Sequence, residues 1–324
     1  MAIAPQCSGY EGIALILLFL GVYLWLFRRE LRFPHALLLL PVGLLAIWLA
    51  NVVRITLLIA IGTSVSAGVA LGGFHSQAGW LFFLSVSLGL MAASHRGRLF
   101  VTRATARDAS SRPSGATEAA ALLVPGVVLL ASILFTSAAS SGVDWLYPLR
   151  VVATAAALWH FRAAYRRFDW RWTWQSAAIG GAVFALWLAL EPPGAAQQAA
   201  AETALAQLSR GAAGLWLGFR VIGSAITVPL AEELAFRGYL TRKLVSPAFE
   251  TVRPGHFTWL SFVVSSALFG LLHGRWFAGT LAGMAYAGAL YRRGQVAEAV
   301  YAHMTTNVLI AGYVLWFGRW SMWS

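Results

Sequence analysis

"HALLLLPVGLLAIWLANVVRITLLIA", residues 35–60, is a nearly unbroken apolar run that carries a single formal charge, at Arg54. As a helix, a run of this length crosses a hydrocarbon core of ~30 Å. Similar runs fall near 12–27, 78–93, 119–138, 145–165, 174–190, 212–230, 257–272, 276–291 and 296–317. No β-barrel alternation is present, which leaves helices as the way to satisfy backbone groups in lipid. The expected fold is an all-α polytopic transmembrane bundle of about eight to ten membrane helices, some of them short or re-entrant.

Composition agrees. Hydrophobic residues make up 59% and charged residues 11% of the 324, against about 25% charged in ordinary soluble domains. The formal charge of +12 is not a nucleic-acid footprint. Its arginines cluster between apolar runs, as the positive-inside bias requires. No positive segment precedes the first run, so a cleaved signal peptide is not expected. "SHRGRLFVTRATARDASSRPSGATEA" (94–119) is polar, basic and without apolar period, the composition of an exposed linker. It divides the chain into units 1–94 and 119–324, joined by 95–118. Placing "RRELR" (28–32) and the arginines of 96–112 in the cytoplasm puts Cys7, the end of the second run and the 62–77 loop on the non-cytoplasmic face.

Cys7 is the only cysteine, so no internal disulfide can form. In "LANVVRITLLI", Asn51 and Arg54 share one helix face. An arginine inside an apolar run faces a protein interior or watery cavity by default, although a snorkelling role at the interface is the plain alternative. His75 in "GGFHSQAGW" precedes the next run on the same expected face. Together these residues supply a thiol nucleophile, a cation and an acid/base group. "CSG", "NVVRI" and "HSQAGW" in that order resemble the catalytic core of the exosortase/archaeosortase family. The resemblance covers residues 5–93 and implies Cys7, Arg54 and His75 as its active site, with a thioester at Cys7 resolved by an amine or water. Such domains carry further membrane helices ahead of the cysteine, so the expectation is an N-terminally truncated domain.

The second unit concentrates other polar groups. "VPLAEELAFRGYLTRKL" sets Glu233 and Arg237 at i, i+4, where they can pair. Glu232 lies about 100 degrees around the helix, free to face something else. "FGLLHGRW" spaces Phe269 and His273 by one turn, and "YAHMTTNVL" does the same for His303 and Asn307. Carboxylates and imidazoles can bind a metal such as zinc. They can equally act without one, Glu serving as base and Asn or His as oxyanion donors. EExxxR, FxxxH and HxxxN in series resemble the CAAX-protease and bacteriocin-processing family of intramembrane endopeptidases, over about 145–320. That resemblance implies Glu232 as the base for water, Arg237 holding Glu233, and His273, His303 and Asn307 completing the site. No cofactor is expected. A divalent metal, if used, would sit on Glu232, His273 and His303.

The two resemblances combined are similar to the exosortase E/protease group associated with VPEID-CTERM sorting. They imply an inner-membrane enzyme acting on exported proteins whose C-termini carry a recognition motif, an apolar helix and a basic tail. Its remaining partners are membrane lipids, not nucleic acid. Rival readings are a transporter with Arg, Glu and His on an ion path, a non-catalytic scaffold or immunity protein, and a chain in which only the CAAX-like half is active. Other features read as structural. Gly279, Gly283 and Ala287 allow close helix packing. Trp80, Trp172 and Trp320 suit an interfacial belt. Residues 192–212 read as a helix lying on the membrane surface.

Overall fold

The computed structural model describes residues 9–28, 30–96, 99–100, 115–140, 144–191 and 194–323, and its architecture among them is all-α. The chain divides into two compact units, Met1–Pro113 with Leu134–Asp144, and Ser114–Ile133 with Trp145–Ser324.

The first unit is built on α1 (Tyr10–Leu26), α2 (Leu39–Ser64) and α3 (His75–Arg96). A 3-10 turn at His35–Leu38 leads into α2. Ile16, Leu20 and Leu24 of α1 meet Leu39 and Ile47 of α2, with Phe83 and Leu90 of α3 packed alongside. The Tyr23 hydroxyl joins Ser94 Oγ at 2.6 Å, tying α1 to α3. Leu45, Trp48, Leu49 and Val53 of α2 point away from this core. A helix apolar on all sides belongs in lipid. Between α2 and α3, Ser66 caps a short turn at Ala67–Val69, which runs into a π-helical turn at Ala70–Phe74. Gly73 there sits against backbone. A Cβ on it would lie 2.0 Å from the Ser137 carbonyl oxygen and 2.2 Å from that of Ser140. That close approach sets where α3 begins, and so where His75 stands.

The second unit comprises α4 (Gly115–Ala138, whose last residues from Leu134 belong to the first unit), α5 (Tyr147–His160), α6 (Trp174–Ala189), α7 (Ala195–Ala206), α8 (Arg210–Lys243), α9 (Trp259–Leu271), α10 (Trp276–Arg293) and α11 (Val296–Phe317). Leu122, Val183, Leu234, Phe269, Tyr286, Leu290 and Val300 form its core. In lipid, helices associate through close packing rather than hydrophobic transfer, and α9 and α10 do so at small residues. A Cβ on Gly283 would meet the Ser266 carbonyl oxygen at 3.1 Å, and one on Gly279 would meet Gly270 Cα at 3.0 Å.

Two opposed ends frame the unit. At one, Glu118 pairs with Arg242 at 2.9 Å and Arg167 at 3.3 Å. At the same end Glu298 accepts from Ser176 at 2.7 Å, Thr173 at 2.9 Å, Arg293 at 3.2 Å and Arg292. The α5–α6 connection links these clusters through Tyr165 to the Ala121 carbonyl and Tyr301 to the Trp170 carbonyl. At the other end the Trp320–Trp323 turn rests on α7, where Gln198 donates to the Gly318 carbonyl at 2.6 Å. No residue of α7 is buried.

α8 is the chemically distinctive element. π-helical turns at Gly223–Thr227 and Leu234–Leu240 flank the α-helical Val228–Glu233 segment that carries the paired glutamates. Such turns rotate the following side chains and concentrate at functional sites.

Candidate active sites

In the first unit a cavity of about 300 Å³ is lined by residues that include Gly9, Glu11, Asn51, Arg54, His75 and Trp80. Asn51 and Arg54 enter from α2, and His75 from the first position of α3. Arg54 Nη2 donates to the His75 carbonyl at 3.1 Å, while its Nε is buried without a hydrogen-bond partner. Gly9 opens α1 with φ +85°, and a Cβ there would sit 2.9 Å from Asn51 Nδ2. Both the backbone angle and the space therefore demand glycine. Arg54 and His75 come together on this cavity. Cys7 lies outside the described residues, two positions before Gly9.

In the second unit the side chains divide into a locked cluster and an accessible wall. Glu233 and Arg237 are 0% exposed. Arg237 Nε lies 3.1 Å from Glu233 Oε2 and Nη1 lies 3.3 Å from Oε1. The first contact is an ion pair close in distance but not aligned as a hydrogen bond. Nη2 donates to the Gly283 carbonyl at 2.7 Å, and the guanidinium lies 4.4 Å from the Phe269 ring centre. Glu233 Oε1 also faces His303 Nδ1 at 2.9 Å. A carboxylate paired with arginine only accepts, so Nδ1 carries the hydrogen and Nε2 is left for other work. Tyr286 stacks on the His303 ring at 4.6 Å and holds it in place.

His273 is fixed by the same logic. It follows the end of α9, where carbonyls lose their helical partners, and its Nδ1 lies 2.8 Å from the Phe269 carbonyl oxygen. A carbonyl cannot donate, so this imidazole too keeps its hydrogen on Nδ1 and presents a basic Nε2. Asn307, one turn past His303, donates from Nδ2 to the Ser224 carbonyl in the first π turn at 2.7 Å. His273, His303 and Asn307 line one cavity of about 260 Å³, together with Trp187, Arg220 and Arg275.

Glu232 stands apart from that cavity. It lines an adjoining apolar groove of about 220 Å³ with Leu123, Val127, Leu130, Phe236 and Leu272, and its Oε2 is buried without a hydrogen-bond partner. Phe236 of the groove meets Phe269 of the cavity edge to face, with ring centres 5.3 Å apart. Leu272 and His273, consecutive in the chain, border the two spaces. Among the described residues no three His, Cys, Asp or Glu side chains converge as a metal-ligand cluster. Glu232, His273 and His303 therefore do not form a ready ligand set.

Comparison with known families assigns both regions. Residues 1–92 match the transmembrane exosortase (EpsH type) model. Residues 214–309 match the type II CAAX prenyl endopeptidase Rce1-like model. The chain is therefore similar to an exosortase over one segment and to a CAAX endopeptidase over another. At that level it is a membrane-embedded protein-processing enzyme. No curated protein and no solved structure matches the chain. The Rce1-like match spans α8 to the middle of α11, and so contains the Glu233–Arg237–His303 cluster, His273 and Asn307. The exosortase match contains Arg54 and His75.

Three residues that sequence reasoning passed over are prominent in the structure. Glu298 closes a four-donor network at the head of α11. Its sequence signal was an acid in a first helical turn just after two arginines. Arg220 and Arg275 line the CAAX cavity. Arg275 follows His273 by two positions in "HGRW", and Arg220 is a lone cation in an apolar run.

Proposed function

We propose that the chain processes exported membrane-anchored proteins through two separate hydrolytic or transfer sites. The observation that carries the reading is the division of labour between adjacent glutamates on α8. Glu233 is consumed by Arg237 and His303. Glu232 is left with a buried, unpartnered carboxylate oxygen in apolar surroundings. Desolvated carboxylates are expensive unless paired, and uncommitted ones mark catalytic groups. In this reading Glu232 takes a proton from an attacking water lodged where its groove adjoins the cavity, at Leu272 and His273. The unprotonated Nε2 atoms of His273 and His303 accept from that water and orient it, and the second Nδ2 hydrogen of Asn307 is donated to the oxyanion formed at the peptide carbonyl.

In the exosortase unit, Cys7 attacks the peptide carbonyl at the junction of a C-terminal sorting signal. Arg54 offers its spare donors to the tetrahedral oxyanion, and His75 shuttles the proton to the leaving amine. The thioester then passes to an amine acceptor or to water. The substrate is an exported protein with a recognition motif, an apolar helix and a basic tail, entering sideways from lipid into an inner membrane enzyme. The end of the CAAX unit that carries Arg166, Arg167, Arg171, Arg242, Lys243, Arg292 and Arg293 faces the cytoplasm by the positive-inside bias. The cavity extends to the opposite end, past His273 and Trp323, and so opens on the non-cytoplasmic side, where an exported chain arrives.

The test is co-expression with a matched substrate and single substitutions Cys7→Ala and Glu232→Ala. The first abolishes sorting-signal processing, and the second abolishes a separate cleavage. If both leave every cleavage untouched, the enzyme reading fails and an ion-path reading takes its place.

A further inference from the structure

Arg220 and Arg275 reach the CAAX cavity from separate elements, the first helical stretch of α8 and the α9–α10 connection. Neither belongs to the Glu233–Arg237–His303 cluster. Arg220 lies over the Tyr147 ring at 4.5 Å and the Trp323 ring at 5.6 Å, and its Nη2 donates to the Trp323 carbonyl. Its Nε is buried without a hydrogen-bond partner, and no carboxylate among the described residues is within ion-pair distance. Arg275 has a carboxylate nearby, but Glu191 Oε1 is 3.8 Å away and accepts instead from Ser321 Oγ at 3.1 Å. That separation is too long for a hydrogen bond, and Arg275 Nη1 is buried with no partner.

The cavity's own chemistry completes the argument. Among the described residues its lining includes two arginines, two histidines and an asparagine, and no aspartate or glutamate. A cleft lined by one sign of charge concentrates the opposite sign. Aromatic faces hold both guanidiniums, Arg275 lying 5.4 Å from the Trp187 ring centre, and the Trp187 ring meets His273 at 6.2 Å. A planar guanidinium with unused donors is the side chain best shaped to take a carboxylate. We infer that Arg220 and Arg275 form a carboxylate-binding subsite that recognises an acidic group of the peptide beside the bond presented to His273 and His303. The inference rests on reading this cavity as the endopeptidase site and specifies which peptides it takes.

Binding, not turnover, tests it. The full chain in lipid nanodiscs, with and without Glu232→Gln, is titrated with fluorescent peptides sharing one apolar segment. One pair differs by Asp against Asn, and the other by a free against an amidated C-terminus. The expected result is about tenfold tighter binding of the carboxylate member in at least one pair, the scale of one charge-assisted contact. The Asp pair responding identifies a side-chain carboxylate, and the C-terminal pair a terminal one. The preference falls to about twofold or less in R220Q and R275Q, persists in part in R220K and R275K, and is unchanged in R319Q, an exposed arginine outside the cavity. Equal binding of both members of both pairs, or a preference that survives in R220Q and R275Q, overturns the subsite. If R220Q does not fold, R275Q and the lysine variants decide the question. Selective binding without cleavage would fault the endopeptidase reading alone, and cleavage without selectivity the subsite alone.

Discussion

Two arginines inside apolar helices have been given opposite situations. Arg237 in the CAAX unit is 0% exposed and enclosed by partners, with the charge-paired Glu233 carboxylate on one side, the Gly283 carbonyl on another and an aromatic ring beneath. Arg54 in the exosortase unit lines an open cavity, makes one hydrogen bond to the His75 carbonyl and leaves Nε buried without a partner. The lesson concerns use rather than type. An arginine whose every nitrogen faces an acceptor of the protein, by ion pair or hydrogen bond, holds other side chains in place. One whose donors exceed its partners is arranged for something that arrives. Arg220 and Arg275 fall on Arg54's side of that line.

Substitutions can break or sharpen this contrast. The largest effect on folding is expected from Arg237→Ala, which strands the Glu233 carboxylate in the interior. Breaking a buried pair in this way costs about 3–5 kcal/mol, read as a large drop in the thermal unfolding midpoint by tryptophan fluorescence. Glu232→Gln should do the reverse. It replaces a carboxyl whose Oε2 is buried without a partner by an amide of the same shape, so cleavage by the CAAX site is lost while the midpoint holds or rises, as paired activity and melting assays would show. Gly9→Ala should cost about 1–2 kcal/mol from the left-handed backbone alone, with further strain against Asn51, and is measured by the same melting assay.

The smallest effect belongs to Arg171, which pairs with Asp169 on an exposed connection. The Arg171 hydrogen bonds hold the Asp169 carboxyl at about 2, below its ordinary 3.8. A depressed acid adds stability above its unfolded value and loses it as pH falls towards the folded one. Asp169→Asn should therefore differ from the parent only slightly near neutral pH. The difference should disappear between about pH 4 and pH 2, seen as converging melting midpoints.

Much of the fold was legible because lipid imposes length and apolarity on every span. The run at 296–317 is α11 residue for residue, and 276–291 stops two residues short of α10's end. The exception is instructive. The run ending at 230 is in fact a helix continuing to Lys243, because Glu233 and Arg237 neutralise each other and need not leave the bundle. The i, i+4 spacing of that pair was readable, since local geometry alone brings the two together. His303 on Glu233 was not, because a separation of 70 residues is closed only by the fold. Glu298 was missed for the same reason, its hydroxyl partners Thr173 and Ser176 lying on a distant connection and helix. Neither the placing of Glu232 in its own groove nor the grip of Ser137 and Ser140 around Gly73 leaves any trace in sequence spacing.

The most direct test of the contrast is Arg54→Ala, with thermal unfolding and sorting-signal processing measured on the same preparation. Losing one hydrogen bond to a carbonyl should cost about 1 kcal/mol, so the midpoint moves little while processing is abolished. A midpoint that falls as far as that of Arg237→Ala, or processing that continues at the parent rate, would contradict the account.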